Sequence, residues 1–533
     1  MQNEIKKLIN NSDLLTNPVY QARLNEELTL IEQLGQTENI LLALEIKKII
    51  QSFTIPFFIR GSAGGSLVLF LLGFTTIDPV KNNILFERFI NIHRDTLGDI
   101  DFDLPRKLRD KIMEKVFHVF SKKNIMIGRL CTRVYYRHNS AIREILRRLN
   151  IRTTIPKEIM QDTDVFKQFL SSHNINYDTV ISKAKEIENT LRYTSAHVGG
   201  ITVMKDDEKW IIKKDVKSKQ IPLVHLDKND VDEQKRFKID LLSNSGLDII
   251  REIYPVNSLA EHYFPYEQNV FDMIGKGDVI GLIYGESPLL KSVFQTYHAK
   301  HKIQSIEDIA KCISIIRPMG RGQGKEGLYS ELIFDDDYII ALANILNVSY
   351  SDADKQRKKL AKDDPELVKK LKKLIPPQRL KQLMQIKQYG FCKAHAMNYA
   401  QLIYCQAYAK FHKPHEFFCA VLNNLNGRVY ADWVYFFDAL KHGIKIFATK
   451  KNDKYIVKSN KNNNTKHIQP SSGIQPRLFS MSPSKEIKSF GGFTSLINTH
   501  ELNHIVACSR HWKDYDFRTI LLENELVNQV NIL

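Results

Sequence analysis

Acidic and hydrophobic side chains alternate strictly in the run Asp99-Ile100-Asp101-Phe102-Asp103-Leu104. Successive side chains of a β-strand point to opposite faces, so this pattern predicts a strand that buries its hydrophobic residues and lines up three carboxylates on the other face. Neighbouring carboxylates repel one another unless a cation neutralises them, and Mg²⁺ prefers oxygen ligands. The alternative is an amphipathic surface strand with a solvated acidic face. The hexapeptide alone leaves both interpretations open.

The composition is that of a large globular protein. The chain has 533 residues, of which 43% are hydrophobic and 26% charged, and this length predicts about three or four domains. The longest apolar run, 67–74, is too short to span a bilayer, and the first residues contain no apolar signal segment, so we expect a cytoplasmic protein without a membrane partner. Six scattered cysteines without a Cys-x-x-Cys pair argue against a disulfide framework or a zinc site. The net charge of +17 favours a polyanionic partner such as nucleic acid.

A glycine-rich turn lies upstream of the aspartate run. Residues 55–59 predict a short strand, Arg60-Gly61-Ser62-Ala63-Gly64-Gly65-Ser66 a turn, and 67–72 an apolar helix. The N–H groups at a helix N-terminus attract anions, glycines allow a phosphate to approach closely, and Ser62 or Ser66 can add a hydroxyl donor. The alternative is a tight turn whose glycines serve packing only.

Together, the turn and the aspartate strand suit nucleotidyl transfer, in which one element holds a triphosphate and the other holds metal ions. Two-metal sites place the ions roughly 3.5–4 Å apart. Asp101 and Asp103 lie about 6.6 Å apart along one strand face, close enough to bridge such a pair. A third carboxylate is expected from Asp240, which is embedded in the apolar strand pattern 237–242, with Lys238 on the same face.

Further motifs make the sequence resemble the family C replicative DNA polymerases, the alpha subunits of bacterial DNA polymerase III. The turn, the segment 85–91 and the aspartate run resemble the first palm motifs of that family. Ala196-His197-Val198-Gly199-Gly200, 226–231 and 238–241 resemble its later palm motifs. Ile316-Arg317-Pro318, 353–359 and 389–400 resemble motifs of its fingers.

The resemblance implies a multidomain α/β fold with a palm of the polymerase-beta-like nucleotidyltransferase type, built on a mixed sheet, a helical thumb and large, mainly helical fingers. The expected division is a helical lead-in at 1–54, palm at 55–110 and 193–253, thumb at 111–192, fingers at 254–424, and a divergent segment at 425–533 with a polar linker near 460–475. We therefore expect a catalytic core without the other modules of the family.

The function implied by the resemblance is that of a DNA-directed DNA polymerase. Such an enzyme adds dNTPs to a primer 3′ end with pyrophosphate release, uses two Mg²⁺ ions, and acts in DNA replication or repair. Its partners would be primer–template DNA, dNTPs and other replication proteins, or a separately encoded part of a replicase. Two alternatives remain: a catalytically weak or silent replicase remnant that binds DNA or a partner, and an untemplated nucleotidyltransferase.

The resemblance also assigns roles residue by residue. Asp101, Asp103 and Asp240 match the catalytic, metal-binding carboxylates, with Asp99 as a supporting metal ligand. The triphosphate-binding set comprises Arg60, Gly61, Ser62, Arg88, Arg94, Lys228, Lys238, Arg317, Arg357, Lys358, Lys393 and His395. The DNA-binding set in the thumb comprises Arg129, Arg133, Arg137, Arg143, Arg147 and Arg148, which would contact phosphates without sequence preference.

Some of these positions have a competing interpretation. For Arg357 and Lys358 the alternative is a solvated helix face, because the surrounding sequence is basic. Ala196, Cys392 and Ala394 depart from the family pattern.

Overall fold

The computed structural model describes residues 2–9, 13–93, 98–151, 155–204, 211–214, 221–317, 332–387, 390–425, 428–430, 432–444, 446–451 and 454–459. The chain divides into two compact units, of which the first comprises Met1–Val116 and Ile239–Leu533 and the second Phe117–Lys238. The fold is mixed α/β, as predicted. Arg94, Cys508 and the predicted linker near 460–475 lie outside the described residues.

The described helices are numbered in chain order. They are α1 (Gln2–Ile9), α2 (Pro18–Gln33), α3 (Thr37–Gln51), α4 (Leu67–Leu71), α5 (Arg109–Lys122), α6 (His138–Arg148), α7 (Lys157–Gln161), α8 (Thr163–Ser171), α9 (Tyr177–Ile187), α10 (Lys228–Glu233), α11 (Ser245–Ile253), α12 (Gln268–Gly275), α13 (Pro288–His301), α14 (Ile306–Ile315), α15 (Asp335–Leu346), α16 (Tyr350–Ala361), α17 (Pro365–Leu374), α18 (Pro377–Leu383), α19 (Lys393–His412), α20 (Pro414–Leu422) and α21 (Asp432–Lys441). Short 3₁₀ segments occupy Asp13–Thr16, Gly61–Gly65 and Met384–Lys387.

The described strands are likewise numbered in chain order. They are β1 (Phe58–Arg60), β2 (Ile100–Pro105), β3 (Ile127–Tyr135), β4 (Leu191–Val203), β5 (Ile211–Lys214), β6 (Pro222–Val224), β7 (Lys238–Asn244), β8 (Ile446–Lys451) and β9 (Lys454–Ser459).

Residues 1–54, the expected helical lead-in, contain the helices α1, α2 and α3. Asn17 caps α2, because its side chain accepts a hydrogen bond from the Val19 N–H at 2.9 Å, and Pro18 follows as the first helical residue. Leu24, Leu28 and Ile31 recur at helical spacing and are buried. The hydrophobic stripe of α2 therefore faces the interior of the first unit.

The aspartate run forms β2, which lies between β1 and β7. β1 pairs antiparallel with β2, and β2 pairs parallel with β7. Ile100, Phe102 and Leu104 are fully buried, as the alternating pattern predicts. The Phe102 ring centroid lies 5.7 Å from that of Phe74, which anchors the strand in the core.

The largest hydrophobic core of the first unit surrounds α19, which is buried along most of its length. Polar side chains on this helix are satisfied by backbone groups of loops that pack on it. Gln401 Nε2 donates to the Leu259 carbonyl at 2.9 Å, and Gln406 Oε1 accepts from the Ile283 N–H at 2.9 Å. This helix therefore fixes loops from distant parts of the chain.

The second unit contains four of the strands and a hydrophobic core of its own. Its strands follow the order β4-β3-β6-β5, with β3 antiparallel to β4, β3 parallel to β6, and β5 antiparallel to β6. Helices α6 to α9 pack around Ile142, Leu146, Phe166, Leu170 and Val180. The division into palm, thumb and fingers stays a prediction.

The cysteines and the lengths of the helices bear on two expectations from the sequence, namely the lack of a disulfide framework and of a membrane span. The five described cysteines are free and buried, in accord with the absence of a disulfide framework among them. No helix in the described ranges has the length and apolarity needed to cross a bilayer.

Candidate active site

The carboxylates of β2 and β7 lie on one face of the first unit's strands. Asp101 is the register partner of Asp240, so the two side chains stand next to each other on parallel strands, and Asp103 follows two residues later on the same face. Asp103 is fully buried, Asp240 is buried and Asp101 is half-buried. Asp99 precedes β2 and is exposed. The structure thus brings the three expected carboxylates together, while their roles stay a prediction.

Arg60 forms a two-point ion pair with Asp103. Its Nε donates to Asp103 Oδ2 at 3.1 Å, and its Nη2 donates to Oδ1. Burial raises the pKa of the Asp103 carboxyl, and the neighbouring guanidinium acts in the opposite direction. Arg60, expected to bind triphosphate, therefore binds a carboxylate expected to bind metal.

Tyr399 on α19 completes the surroundings of Asp103, and the sequence reasoning did not select it. Burial, followed by the Asp103 charge, raises the pKa of Tyr399, so its hydroxyl stays protonated and donates to that carboxylate. Its ring lies edge-on to Phe58 and Tyr284, with centroids 5.7 and 4.7 Å away. The available signal was its position four residues after His395 on one helix face.

His395 supports the glycine turn as a neutral acceptor. Gly61, whose φ is +79°, donates its N–H to His395 Nδ1 at 3.1 Å. Burial lowers the pKa of His395 to about 3, and the charges of Arg60 and Arg317 act in the same direction. A neutral imidazole at this place positions the turn, whereas the expected role was triphosphate binding.

The N-terminus of α4 is already filled by a side chain of the same chain. Glu27 Oε1 accepts the Leu67 N–H at 2.9 Å, and its Oε2 accepts the Val68 N–H at 3.1 Å and the Ser66 hydroxyl at 2.7 Å. The expectation of an open anion site at this helix end is therefore wrong for Ser66 and α4. The signal for Glu27 was an acid on the buried face of α2, four residues after Arg23, with which it pairs at 2.8 Å.

The glycines of the turn serve two purposes. A Cβ on Gly64 would lie 2.7 Å from Asn398 Nδ2, and one on Gly65 would lie 2.9 Å from the Leu85 carbonyl oxygen. Gly61 has open space but needs its positive φ. Ser62, next in the chain, is half-buried, and a Cβ added to Gly98, just before β2, would lie 3.2 Å from its Oγ. Only the first part of the turn is open enough for a ligand in the described structure.

Several expected triphosphate ligands have acidic partners. Arg88 Nη2 pairs with Asp335 at 2.9 Å. Arg357 Nε and Lys358 Nζ pair with Asp354 at 2.9 and 3.0 Å.

Lys393 completes this group of paired basic residues. Its Nζ lies 3.3 Å from Glu307, and its backbone N–H donates to the buried Asp336 at 2.8 Å. The solvated-face interpretation of Arg357 is wrong, because its side chain is buried and ion-paired. The acidic partners were not selected from the sequence, although three consecutive aspartates open α15.

Arg317 is arranged differently from these ion-paired residues. Its guanidinium carbon lies 4.2 Å from the ring centroid of Phe391, within range of a cation–π interaction. Phe391 in turn stacks on His395 with centroids 4.5 Å apart. Arg317 is thus held by an aromatic face close to the support of the glycine turn.

The donor set of the three aspartates fits Mg²⁺, which takes carboxylate oxygens. Within the described residues, the ligand atoms of Asp278, Asp438 and His442 lie within 4.8 Å of one another. Among the same residues, the strand aspartates do not form a cluster of three ligand atoms this close together. The Asp103 oxygens point to Arg60, as described above. The strand carboxylates therefore fit a metal site chemically, with one member engaged by a protein cation.

Comparison with known proteins identifies the family resemblance. Residues 1–243 match the family model described as the bacterial DNA polymerase III alpha NTPase domain. The DNA polymerase III subunit alpha of Staphylococcus epidermidis (strain ATCC 35984) is 25% identical over 474 residues, covering 78% of this chain and 44% of that protein. That of Staphylococcus aureus (strain MRSA252) is 26% identical over 513 residues, covering 85% and 47%. This chain is similar to the alpha subunit of bacterial DNA polymerase III.

The resemblance to the alpha subunits that the sequence motifs predicted is thus confirmed. The chain spans less than half the length of these relatives. The family model covers the glycine turn and all three strand carboxylates, whereas Arg317, Arg357, Lys358, Lys393 and His395 lie beyond it.

The second unit carries the remaining basic residues that the alpha-subunit resemblance assigns. Lys228 is exposed at the start of α10, and Lys238 is buried at the start of β7. Arg129 donates to the His197 carbonyl at 3.0 Å, and Arg133 pairs with Asp230 at 2.8 Å. These contacts hold both arginines to their own unit.

Four arginines on or next to α6 are exposed: Arg137, Arg143, Arg147 and Arg148. Arg147 and Arg148 share Glu144 as a partner, at 2.6 and 3.0 Å, and their side chains are 69% and 60% exposed. Surface ion pairs of this kind contribute little free energy, so these guanidinium groups remain able to contact a phosphate backbone.

Proposed function

We propose that the protein is a template-directed DNA polymerase that extends a primer 3′ end with dNTPs and releases pyrophosphate. The observation that carries this proposal is the register of β2 and β7, which sets Asp101 beside Asp240 with Asp103 on the same face. The similarity to DNA polymerase III alpha subunits supports the template-directed form of the chemistry.

The aspartates would hold two Mg²⁺ ions, which when bound lower the pKa of the primer hydroxyl and stabilise the charge of the leaving pyrophosphate. The chain's own residues position the reactants around them. Ser62 offers a hydroxyl donor at the open end of the turn, and Arg317 offers a guanidinium held against Phe391. Cationic donors aimed at the developing phosphate charge stabilise the transition state.

DNA would be held by charge without sequence preference. The exposed arginines of the second unit described above are suited to the phosphate backbone, and the net charge of +17 favours association with DNA. Because each phosphate contact releases condensed counterions, the affinity for primed DNA should fall steeply with salt.

Primer extension with a labelled primer on a short template in Mg²⁺ tests the proposal. Asp101→Asn and Asp240→Asn should each lower extension by about 1000-fold or more, because each removes a metal-binding charge. Asp363→Asn is the matched control, since Asp363 is 61% exposed and its backbone φ of +61° suits asparagine. It should extend the primer as wild type does.

The two alternatives predict different products. An untemplated nucleotidyltransferase would lengthen the primer equally with and without template. A silent remnant would bind primed DNA yet extend nothing at any Mg²⁺ concentration, and that outcome would refute the proposal.

A further inference from the structure

Asp103 has no oxygen atom without a contact to Arg60. The guanidinium takes Oδ2 through Nε and Oδ1 through Nη2, a fork geometry that matches a carboxylate at two points. A divalent ion coordinated by Asp103 therefore competes with these N–H donors for the carboxylate lone pairs and is repelled by the guanidinium charge. In this arrangement the Arg60 guanidinium occupies the position that a metal ion would take beside Asp103.

The two members of the pair differ in how firmly they are held. Asp103 has no solvent exposure, whereas the Arg60 side chain is 24% exposed. Asp103 also accepts the Tyr399 hydroxyl, so it keeps a hydrogen-bond partner when Arg60 leaves. Arg60 is therefore the member of the pair that a ligand from solvent can reach, whereas the carboxylate is enclosed.

The position of Arg60 in the chain suggests what draws it away. It is the last residue of β1 and directly precedes Gly61 and Ser62, the open part of the turn. Guanidinium groups bind phosphate through the same two-point geometry that they use for carboxylates. A triphosphate at the turn would compete with Asp103 for Arg60.

We propose that Arg60 is a displaceable guard of Asp103: it occupies the carboxylate until a nucleotide triphosphate takes the guanidinium, and Asp103 then becomes available to a divalent ion. The inference rests on the proposed function. It makes nucleotide and metal binding cooperative, because each removes one member of the same ion pair, and such coupling is reciprocal.

Mn²⁺ binding without nucleotide or DNA tests the guard directly. Free Mn²⁺ is measured by electron paramagnetic resonance during titration of the full chain. Arg60→Gln should bind Mn²⁺ about tenfold more tightly than wild type, because the competing charge is gone. Arg60→Lys, which keeps the charge but loses the two-point geometry, should lie between them.

Two controls separate the guard from general charge effects. Lys48→Gln also removes one positive charge, from an exposed side chain paired with Glu45, and should bind Mn²⁺ as wild type does. In an Asp103→Asn background, Arg60→Gln should give no further gain, because the competed carboxylate is absent. Circular dichroism of each variant verifies folding, and Arg60→Lys carries the test if Arg60→Gln is unfolded.

Mn²⁺ binding and primer extension together distinguish failure of the guard from failure of the proposed function. Equal or weaker Mn²⁺ binding by both Arg60 variants, or a gain that persists in Asp103→Asn, overturns the guard. If neither wild type nor variants bind Mn²⁺, there is no cation for Arg60 to exclude and the guard is overturned as well. If Arg60→Gln binds more tightly but the wild type extends no primer, the guard stands and the proposed function fails. Extension by wild type with unchanged Mn²⁺ binding in the variants refutes the guard alone.

Discussion

Two acidic sites in the first unit each pair with one protein cation, but the two cations differ in how completely they are buried. Lys410 has no exposed side chain, and its ammonium donates to Asp278 at 2.7 Å, Asp438 at 2.6 Å and the Ile280 carbonyl at 2.9 Å. All three ammonium hydrogens are thereby used. Arg60 reaches its carboxylate from a partly exposed position. A saturated, enclosed cation belongs to the framework, whereas a peripheral one can be exchanged for a ligand.

The charges of the Lys410 cluster reinforce one another. Burial alone would lower the pKa of Lys410, but Asp438 and Asp278 raise it, so the lysine is charged. Burial alone would raise the pKa of Asp278, but Lys410 and His442 outweigh this effect. The net pKa is lowered, so this carboxylate is ionised. The carboxylates of Asp278 and Asp438 therefore already share a cation from the chain itself.

Lys410→Met should have the largest effect on stability. It leaves the buried Asp438 and the partly buried Asp278 without their shared cation, and breaking a buried pair in this way costs about 3–5 kcal/mol of unfolding free energy. Urea denaturation followed by circular dichroism measures the loss. Lys48→Met, at an exposed position, should change the free energy by less than about 0.5 kcal/mol. A loss below about 1 kcal/mol for Lys410→Met would show that the enclosed cation is not part of the framework.

Arg60→Gln should destabilise the protein less, by about 1–3 kcal/mol, because Tyr399 still donates to Asp103 and solvent reaches the position of the guanidinium. Mn²⁺ should raise the melting temperature of Arg60→Gln more than that of wild type, since a ligand stabilises the native state according to its affinity. Differential scanning fluorimetry with and without Mn²⁺ measures both effects. A loss as large as that of Lys410→Met would erase the distinction between the two clusters.

His442 gives the smallest predicted effect and a pH dependence. Burial lowers its pKa, but the hydrogen bond to Asp278 at 2.8 Å and the carboxylate charges raise it above the usual value, against the opposing charge of Lys410. A raised pKa in the folded state means that protonation stabilises the fold below the unfolded pKa of about 6.5. This contribution, about 1 kcal/mol, is lost as pH rises through the folded pKa.

Urea denaturation of wild type and His442→Gln at pH 6 and pH 9 measures this dependence. The difference in unfolding free energy should be larger at pH 6. Asp278 stays ionised at both pH values, because its pKa is lowered, so it adds no slope of its own. A difference that grows toward pH 9 would contradict the assignment.

Local periodicity made much of the framework predictable. The alternation at 100–104 gave the strand and its buried residues, and an acid within the apolar pattern at 237–242 gave Asp240. Both signals depend on neighbours within a few residues, where strand geometry is regular.

Contacts between distant parts of the chain could not be predicted from local sequence patterns. Lys410 and Asp278 are 132 positions apart, and Glu27 and Leu67 are 40 apart. The sequence identified Arg60 as a basic residue beside a glycine turn, which suits a phosphate and a carboxylate equally well. The fold determines which of the two anions Arg60 binds.

Glu27 gives α2 a consequence for how the protein can be divided. Its carboxylate is the anion that satisfies the first N–H groups of α4, and α4 directly follows the glycine turn. A fragment starting after α2 would keep β1, β2 and β7 but expose these donors at the end of the turn. A fragment that keeps the first turn of α4 capped must therefore begin upstream of Pro18, because α2 supplies the capping carboxylate.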